Sequence, residues 1–168
     1  IPSSPIGQNY DPTVSANTTI DQLRVSQGRT VTISAGITLT VDGGGATALL
    51  QSTGTVTGSG VLLITATSDR DLNDGNLTVG SLTINPDTDD DDFTIRASTT
   101  IVVTGTLEIQ NGSVNVGTGT LDANNLTIKS TASSIGNSEG LQLSGTGGTI
   151  NVRGTWTQES SGLWGPGI

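Results

Sequence analysis

The sequence predicts an all-β, single-domain β-solenoid with coils of about 20 residues and no capping helix. Three observations support this fold class: short runs that alternate apolar and polar residues, corners marked by single glycines, and a strand period of seven or eight residues. No stretch of ten or more residues carries apolar side chains at the spacing of an amphipathic helix. Three strands at this period make one three-sided coil, and stacked coils make the solenoid.

Strand signals run through the chain, and most are rich in β-branched side chains close to Gly, Asn or Asp. The predicted strands are Thr18–Val25, Thr30–Ile33, Ile37–Val41, Val61–Thr65, Leu77–Val79, Leu82–Ile84, Phe93–Ile95, Thr100–Val103, Thr106–Ile109, Ser113–Val116, Leu126–Ile128, Leu141–Leu143 and Thr149–Val152. Alternation places Leu, Ile and Val inside the coil and Thr, Ser, Asn and Arg outside it. Thr suits the outer positions because its branching favours a strand while its hydroxyl stays hydrated.

Spacing distinguishes the solenoid from its alternative. Leu23–Val25, Val31–Ile33 and Leu39–Val41 recur every eight residues. Single glycines with small polar neighbours turn a corner of a prism without reversing the chain. The alternative is a β-sandwich or jelly roll, in which turns lie about eight to twelve residues apart and hairpins use Asn-Gly pairs.

The composition excludes several classes of function. The chain has no His, Cys or Met, and it has 6 basic against 15 acidic residues, for a net charge of −9. Without His or Cys, a Ser-His-Asp triad, thiol chemistry and an ordinary zinc or haem site are excluded. We therefore expect no enzyme activity, no nucleic-acid partner and no membrane insertion, since no apolar run approaches the roughly 20 residues that cross a bilayer.

The ends of the chain differ from its middle. The first residue is Ile1 and the sequence holds no Met, which predicts an extracellular or cell-surface protein after removal of an N-terminal signal. Three prolines in the first sixteen residues predict an extended arm at 1–16. The solenoid body is predicted at 17–157 and a C-terminal tail at 158–168.

The strings Thr30–Gly43 and Gly105–Val116 resemble the β-solenoid stretches of bacterial surface and secreted adhesins. These include autotransporter passengers and filamentous-haemagglutinin-like exoproteins. The shared pattern is a Gly, one optional residue, then [TS]-[LV]-x-[VI], and it covers roughly residues 18 to 157. The resemblance implies an extracellular structural or adhesive role, and it carries over no catalytic residue.

Two acidic strings offer oxygen ligands of the kind that calcium prefers. The candidate ligands are Asp69, Asp71, Asn73, Asp89 and Asp91. The first string resembles a calcium loop, although Asp74 stands where that loop has Gly. Two interpretations stay open: a structural calcium site, or two solvated acidic loops.

Paired threonines at alternate positions also recur, among them Thr30/Thr32, Thr38/Thr40 and Thr155/Thr157. A regular row on one face would need one pair per coil, whereas the intervals between successive pairs are irregular along the chain. The spacing therefore predicts ordinary surface threonines.

A solenoid without caps exposes unpaired N–H and C=O groups at both ends. The sequence therefore favours a structural subunit of an extracellular fibre or surface layer that polymerises head to tail, with itself as partner. The residues expected at the subunit interface are Ile1, Ile6, Tyr10, Val14, Trp156 and Trp164. The alternative is an adhesive or glycan-binding module of a larger surface protein, with surface glycans as partners.

Overall fold

A computed structural model describes residues 10–43, 50–52, 54–65, 70–73, 76–86, 92–95, 99–129, 140–142 and 147–159. Within these ranges every helix or strand assigned is a β-strand, and each strand pair among them is parallel. The predicted all-β solenoid is thus confirmed, because a β-sandwich or jelly roll would pair its strands antiparallel.

The described residues form eighteen strands. They are β1 (Thr13–Val14), β2 (Thr18–Ile20), β3 (Leu23–Val25), β4 (Thr30–Ile33), β5 (Thr38–Val41), β6 (Leu50–Ser52), β7 (Thr55–Gly58), β8 (Val61–Ile64), β9 (Arg70–Asn73), β10 (Asn76–Val79), β11 (Ser81–Ile84), β12 (Asp92–Ile95), β13 (Thr100–Ile109), β14 (Ser113–Asn115), β15 (Thr120–Ile128), β16 (Gly140–Gln142), β17 (Thr149–Val152) and β18 (Trp156–Gln158).

The strands stack into three faces. The first face has the order β1-β4-β7-β10-β13-β15-β17, and the second has β2-β5-β8-β11-β13-β15-β18. Strands β13 and β15 belong to both faces because each runs through the corner between them. The third face consists of the pair β3-β6 and the set β9-β12-β14-β16.

Register gives the length of each coil, because partner residues on one face are separated by a single turn of the solenoid. On the first face the partner pairs include Thr13↔Thr32, Thr30↔Thr55, Thr55↔Asn76 and Thr100↔Thr120. The spacing within these pairs confirms the predicted period of about 20 residues per coil. The coils are unequal in length, and the one from Thr30 to Thr55 is the longest of these four.

The corner between the first and second faces shortens from β4 to β10. It takes residues 34–37 after β4, residues 59–60 after β7 and Gly80 alone after β10. In β13 the turn is a bulge after Val103, and the Gly105 N–H donates to the Gly80 carbonyl at 2.7 Å. A Cβ on Gly105 would lie 2.5 Å from that same oxygen, so the stacked corner requires glycine there.

Among the predicted strand limits that differ from the structure, two show the cause most clearly. Thr18–Val25 is divided into β2 and β3 by a corner at residues 21–22, whereas Thr100–Val103 and Thr106–Ile109 join in the single strand β13. Both differences arise at corners. A corner through Asp21 and Gln22 carries no glycine to mark it, and the glycine in β13 is absorbed by the bulge.

The core consists of like side chains stacked along the solenoid axis. Alternation turns every second residue inward, as the buried positions of the strands show. The inward residues of the second face form two rows: Leu39, Leu62, Leu82, Leu107 and Leu126, and beside them Val41, Ile64, Ile84, Ile109 and Ile128. Each is at most 2% exposed, so each coil is covered by the coils before and after it.

Truncating one side chain in the middle of the leucine row tests this packing. Leu82→Ala should lower the free energy of unfolding by about 2–5 kcal/mol, because the cavity lies between two neighbouring coils that cannot close it. The matched control is Thr83→Ala, at the next position along the same strand but facing outward, with an expected change of about 0.5 kcal/mol or less. Chemical denaturation followed by circular dichroism measures both. Equal losses for the two variants would contradict the assigned inward and outward faces.

Candidate functional site

The two ends of the solenoid are the candidate functional surfaces. Val14 lies in β1 at one end, and Trp156 lies in β18 at the other. Both are partly buried and pack against the core, while Tyr10 is 58% exposed. The structure thus places two of the predicted interface residues at opposite ends of the stack.

The remaining interface predictions lie outside the described residues. These are Ile1, Ile6 and Trp164. Of the predicted arm at 1–16, the described part includes β1, which pairs with β4 and so forms part of the first coil. The solenoid therefore includes residues at least as early as Thr13.

The acidic strings stay a prediction as a calcium site. Three of the candidate ligands lie outside the described residues: Asp69, Asp89 and Asp91. The other two, Asp71 and Asn73, belong to strand β9, which pairs with β12. In the part of the chain that the structure describes, no three Asp, Glu, His or Cys side chains converge on one point.

Side-chain oxygen atoms of Asp and Asn accept backbone hydrogen bonds between coils at both ends of the solenoid. The Asp11 Oδ1 atom accepts a hydrogen bond from the Thr30 N–H at 2.8 Å, and the Asn17 Oδ1 atom accepts one from the Thr38 N–H at 2.9 Å. At the other end the Asn125 Oδ1 atom accepts from the Thr155 N–H at 2.9 Å. These side chains take the place of a backbone carbonyl where a corner interrupts the strand. Sequence reasoning missed them, because Asp or Asn at a corner also suits a simple turn.

A network of three charges lies on the second face, toward the C-terminal end. The Lys129 Nζ atom lies 3.1 Å from the Glu159 Oε1 atom and 3.5 Å from the Glu108 Oε1 atom. The three residues come from successive coils at neighbouring positions. The hydrogen bond to Glu159 and the charges of both carboxylates raise the pKa of Lys129 above its ordinary value of 10.5. Nothing in the order of residues along the chain marks a partner for this lysine.

A second ion pair lies on the first face at the same end. The Arg153 guanidinium, just after β17, contacts the Asp122 carboxylate of β15. A third lies at the opposite end, where the Arg29 Nε atom is 3.6 Å from the Asp11 Oδ1 atom. Both pairs bridge neighbouring coils, and since all four groups are at least partly solvated, each adds little stability.

Threonines form a row on the first face. The outward positions in register there are Thr13, Thr32, Thr57, Thr78, Val102, Asp122 and Asn151. The first four of these are threonines. Spacing along the chain did not reveal this row because successive pairs alternate between faces, with Thr30 on the first and Thr38 on the second. The row gives the first face a strip of hydroxyl groups spaced by the strand separation of about 4.8 Å.

The comparisons with known proteins add no family. No protein-family model, no curated protein and no solved structure matches this chain. Among the described residues, no helix is long and apolar enough to span a membrane.

The raised pKa of Lys129 predicts a dependence of stability on alkaline pH. A group whose pKa is higher in the folded state stabilises that state fully below its unfolded pKa, and the effect is lost as pH rises through the folded pKa. The stability advantage of the wild type over Lys129→Met should thus be constant up to about pH 10.5 and then decline. Urea denaturation at a series of pH values measures this difference. A difference that stays constant through the alkaline range would contradict the ion network.

Proposed function

We propose that this protein is a structural subunit of an extracellular fibre or surface layer, in which copies stack head to tail. The observation that carries the proposal is the state of the two end coils. Among the described strands, none pairs with the outer edges of β1 and β2 or of β17 and β18. The extracellular setting rests on the sequence resemblance to solenoid adhesins.

The N-terminal edge keeps its hydrogen-bonding groups. The Pro12 carbonyl accepts from the Thr32 N–H, and the Val14 carbonyl accepts from the Ser34 N–H, both at 3.0 Å. The N–H and C=O groups of one strand residue point to the same side of the strand. The backbone groups of Pro12 and Val14 therefore face β4, and those of Thr13 face the open edge. The donor that proline lacks is therefore on the paired side. Edge strands that avoid association carry proline on the open side, and this edge does not.

At the C-terminal edge, the backbone N–H and C=O groups that face away from the solenoid complement those at the N-terminal edge. The Arg153 N–H donates to the Ala123 carbonyl at 3.0 Å, so Arg153 faces the preceding coil. The backbone groups of Ile150 and Val152, one and three positions earlier, face away from it. Residues whose side chains point inward thus form their backbone hydrogen bonds with the following coil. Residues whose side chains point outward form theirs with the preceding coil.

The same alternation of backbone hydrogen bonds joins the coils inside the solenoid. The carbonyl of the inward residue Ile33 accepts from the Gly60 N–H of the following coil at 3.1 Å. In a second copy stacked in the same register, the N–H of the outward residue Thr13 would lie opposite the Ile150 carbonyl, which repeats this arrangement across the junction. A stack of copies therefore continues the parallel ladder without a change of direction.

Apolar side chains at the two ends are less completely buried than those in the inner coils. Val14 and Ile20 in the first coil, and Ile150, Val152 and Trp156 in the last, pack against the core but stay partly exposed. Their counterparts in inner coils are almost completely buried. Stacking one copy on the next would bury both sets, which favours association. Because the two contact surfaces differ and the contact does not close a ring, the product is a filament.

Blocking the outward N–H of β1 tests the proposal. Thr13→Pro removes a donor from the free edge and leaves the bonds from Pro12 and Val14 to β4 in place. We expect a folded protein that no longer assembles, while the control Thr13→Val, with the same branched shape and an intact N–H, assembles like the wild type. Sedimentation velocity and electron microscopy over a range of concentrations measure assembly, and circular dichroism confirms folding.

Two outcomes would contradict the fibre. One is a wild type that stays monomeric at the highest attainable concentration. The other is a Thr13→Pro variant that assembles as well as the control. Either would favour the adhesive or glycan-binding module, with the threonine row of the first face as its polar surface.

A further inference from the structure

We propose that the junction between copies places Glu159 of one copy beside Asp21 of the next, and that their repulsion holds assembly back at low ionic strength. This inference rests on the proposed function, since it requires head-to-tail stacking. It adds the register of the junction and the condition that controls it.

The two residues belong to one row of outward positions on the second face, here called the outer row. Its members each follow the last inward residue of a strand on that face. The outer row consists of Asp21, Asp42, Thr65, Asn85, Gln110, Lys129 and Glu159.

Backbone hydrogen bonds show that this row continues from coil to coil. The Asp42 N–H donates to the Ile20 carbonyl at 2.9 Å, and the Glu159 N–H donates to the Ile128 carbonyl at 3.0 Å. The four members between them donate in the same way to Val41, Ile64, Ile84 and Ile109, at 2.8 to 3.0 Å. By this rule, the Asp21 N–H of the next copy donates to the Gln158 carbonyl.

Neighbouring side chains in the outer row reach one another. The Thr65 hydroxyl donates to the Asp42 Oδ1 atom at 2.9 Å, and the Lys129 Nζ atom donates to the Glu159 Oε1 atom at 3.1 Å. These two contacts lie toward opposite ends of the solenoid. Adjacent positions in this row are therefore close enough for charges to interact directly.

At the junction the adjacent positions carry like charges. Glu159 and Asp21 of the next copy would be about 4.8 Å apart along the axis, the separation of neighbouring strands. Lys129 precedes Glu159 in the row and also contacts Glu108, which lies outside the row on the coil before Lys129, and Asp42 follows Asp21. One ammonium group thus faces four carboxylates, and like charges opposite one another in a sheet are destabilising.

Assembly should therefore depend on ionic strength, because salt screens the repulsion between these carboxylates. The screening length is about 30 Å at 0.01 M salt and about 3 Å at 1 M. The net charge of −9 on each copy adds a general repulsion that salt screens as well. The test must therefore separate the local contact from the net charge.

Charge variants make that separation. Asp21→Asn and Asn76→Lys each raise the net charge by one, but Asn76 lies in β10, in the middle of the solenoid. The measurement is the critical concentration for assembly, obtained by pelleting at about 0.01 M and about 1 M salt. A chelator is present so that calcium binding to the acidic strings does not affect the result. At low salt Asp21→Asn should lower the critical concentration about twofold, and more than Asn76→Lys does. At high salt the two variants should converge.

A coupled pair of variants identifies the contact. Asp21→Lys places an ammonium group beside Glu159 of the preceding copy and should lower the critical concentration at low salt by roughly threefold or more. In a Glu159→Gln background the same substitution should give a clearly smaller effect, because its partner has lost its charge.

The outcomes separate the inference from the proposed function. If copies assemble but Asp21→Lys acts equally in both backgrounds, the junction has a different register and the inference is overturned while the fibre stands. If no variant assembles at either salt concentration, the fibre itself is contradicted. A smaller effect of Asp21→Lys in the Glu159→Gln background supports both.

Discussion

Backbone hydrogen bonds between successive coils are the interaction on which the rest of this structure depends. Each inward residue bonds to the coil that follows, and each outward residue bonds to the coil before, as Ile33 and Arg153 show. This phase fixes which residues share a row. It stacks Leu on Leu and Ile on Ile inside the second face, and it brings Lys129 between Glu108 and Glu159 outside it. Core packing and surface charge therefore follow from one register.

The same ladder makes the ends different from the middle. An inner coil has a neighbour on each side, so its aliphatic side chains are covered from both directions. Among the described strands an end coil has one neighbour, and its apolar residues, such as Val14 and Trp156, are only partly covered. Asp11 and Asn17 supply side-chain oxygens to N–H groups of the second coil, and among the described strands none pairs with the outer edge of the first coil. A repeat structure of this kind is incomplete until another element or another copy covers it.

The fold class could be predicted from the sequence because alternation and period are local. β4, β5 and β11 match their predicted strands within a residue. β7 was missed because Val56 is its only large apolar residue and glycines lie beside and within it. β6 was missed because Leu50 is its only apolar residue and the polar residues Gln51 and Ser52 complete the strand. Both are placed by pairing with stronger strands, which is a contact between distant parts of the chain.

The candidate site was only partly predictable for a related reason. Val14 and Trp156 could be named from apolar residues near the ends of the chain. The proximity of Lys129 to Glu159, and the row that continues to Asp21, depend on registers across coils of unequal length. No spacing along the chain reveals them, because each coil adds or omits residues at its corners.

Hydrogen exchange of backbone amides, followed by mass spectrometry, tests the central claim most directly. In dilute protein, amides of the middle strands β8 and β11 should exchange slowest, and amides of β1, β2, β17 and β18 fastest. In assembled material the added protection should appear in those four end strands and not in the middle strands β8 and β11. Two results would contradict the account, in which the inner coils are hydrogen-bonded on both sides and the end coils on one side. One is equal protection along the whole solenoid in dilute protein, and the other is added protection in the middle strands alone.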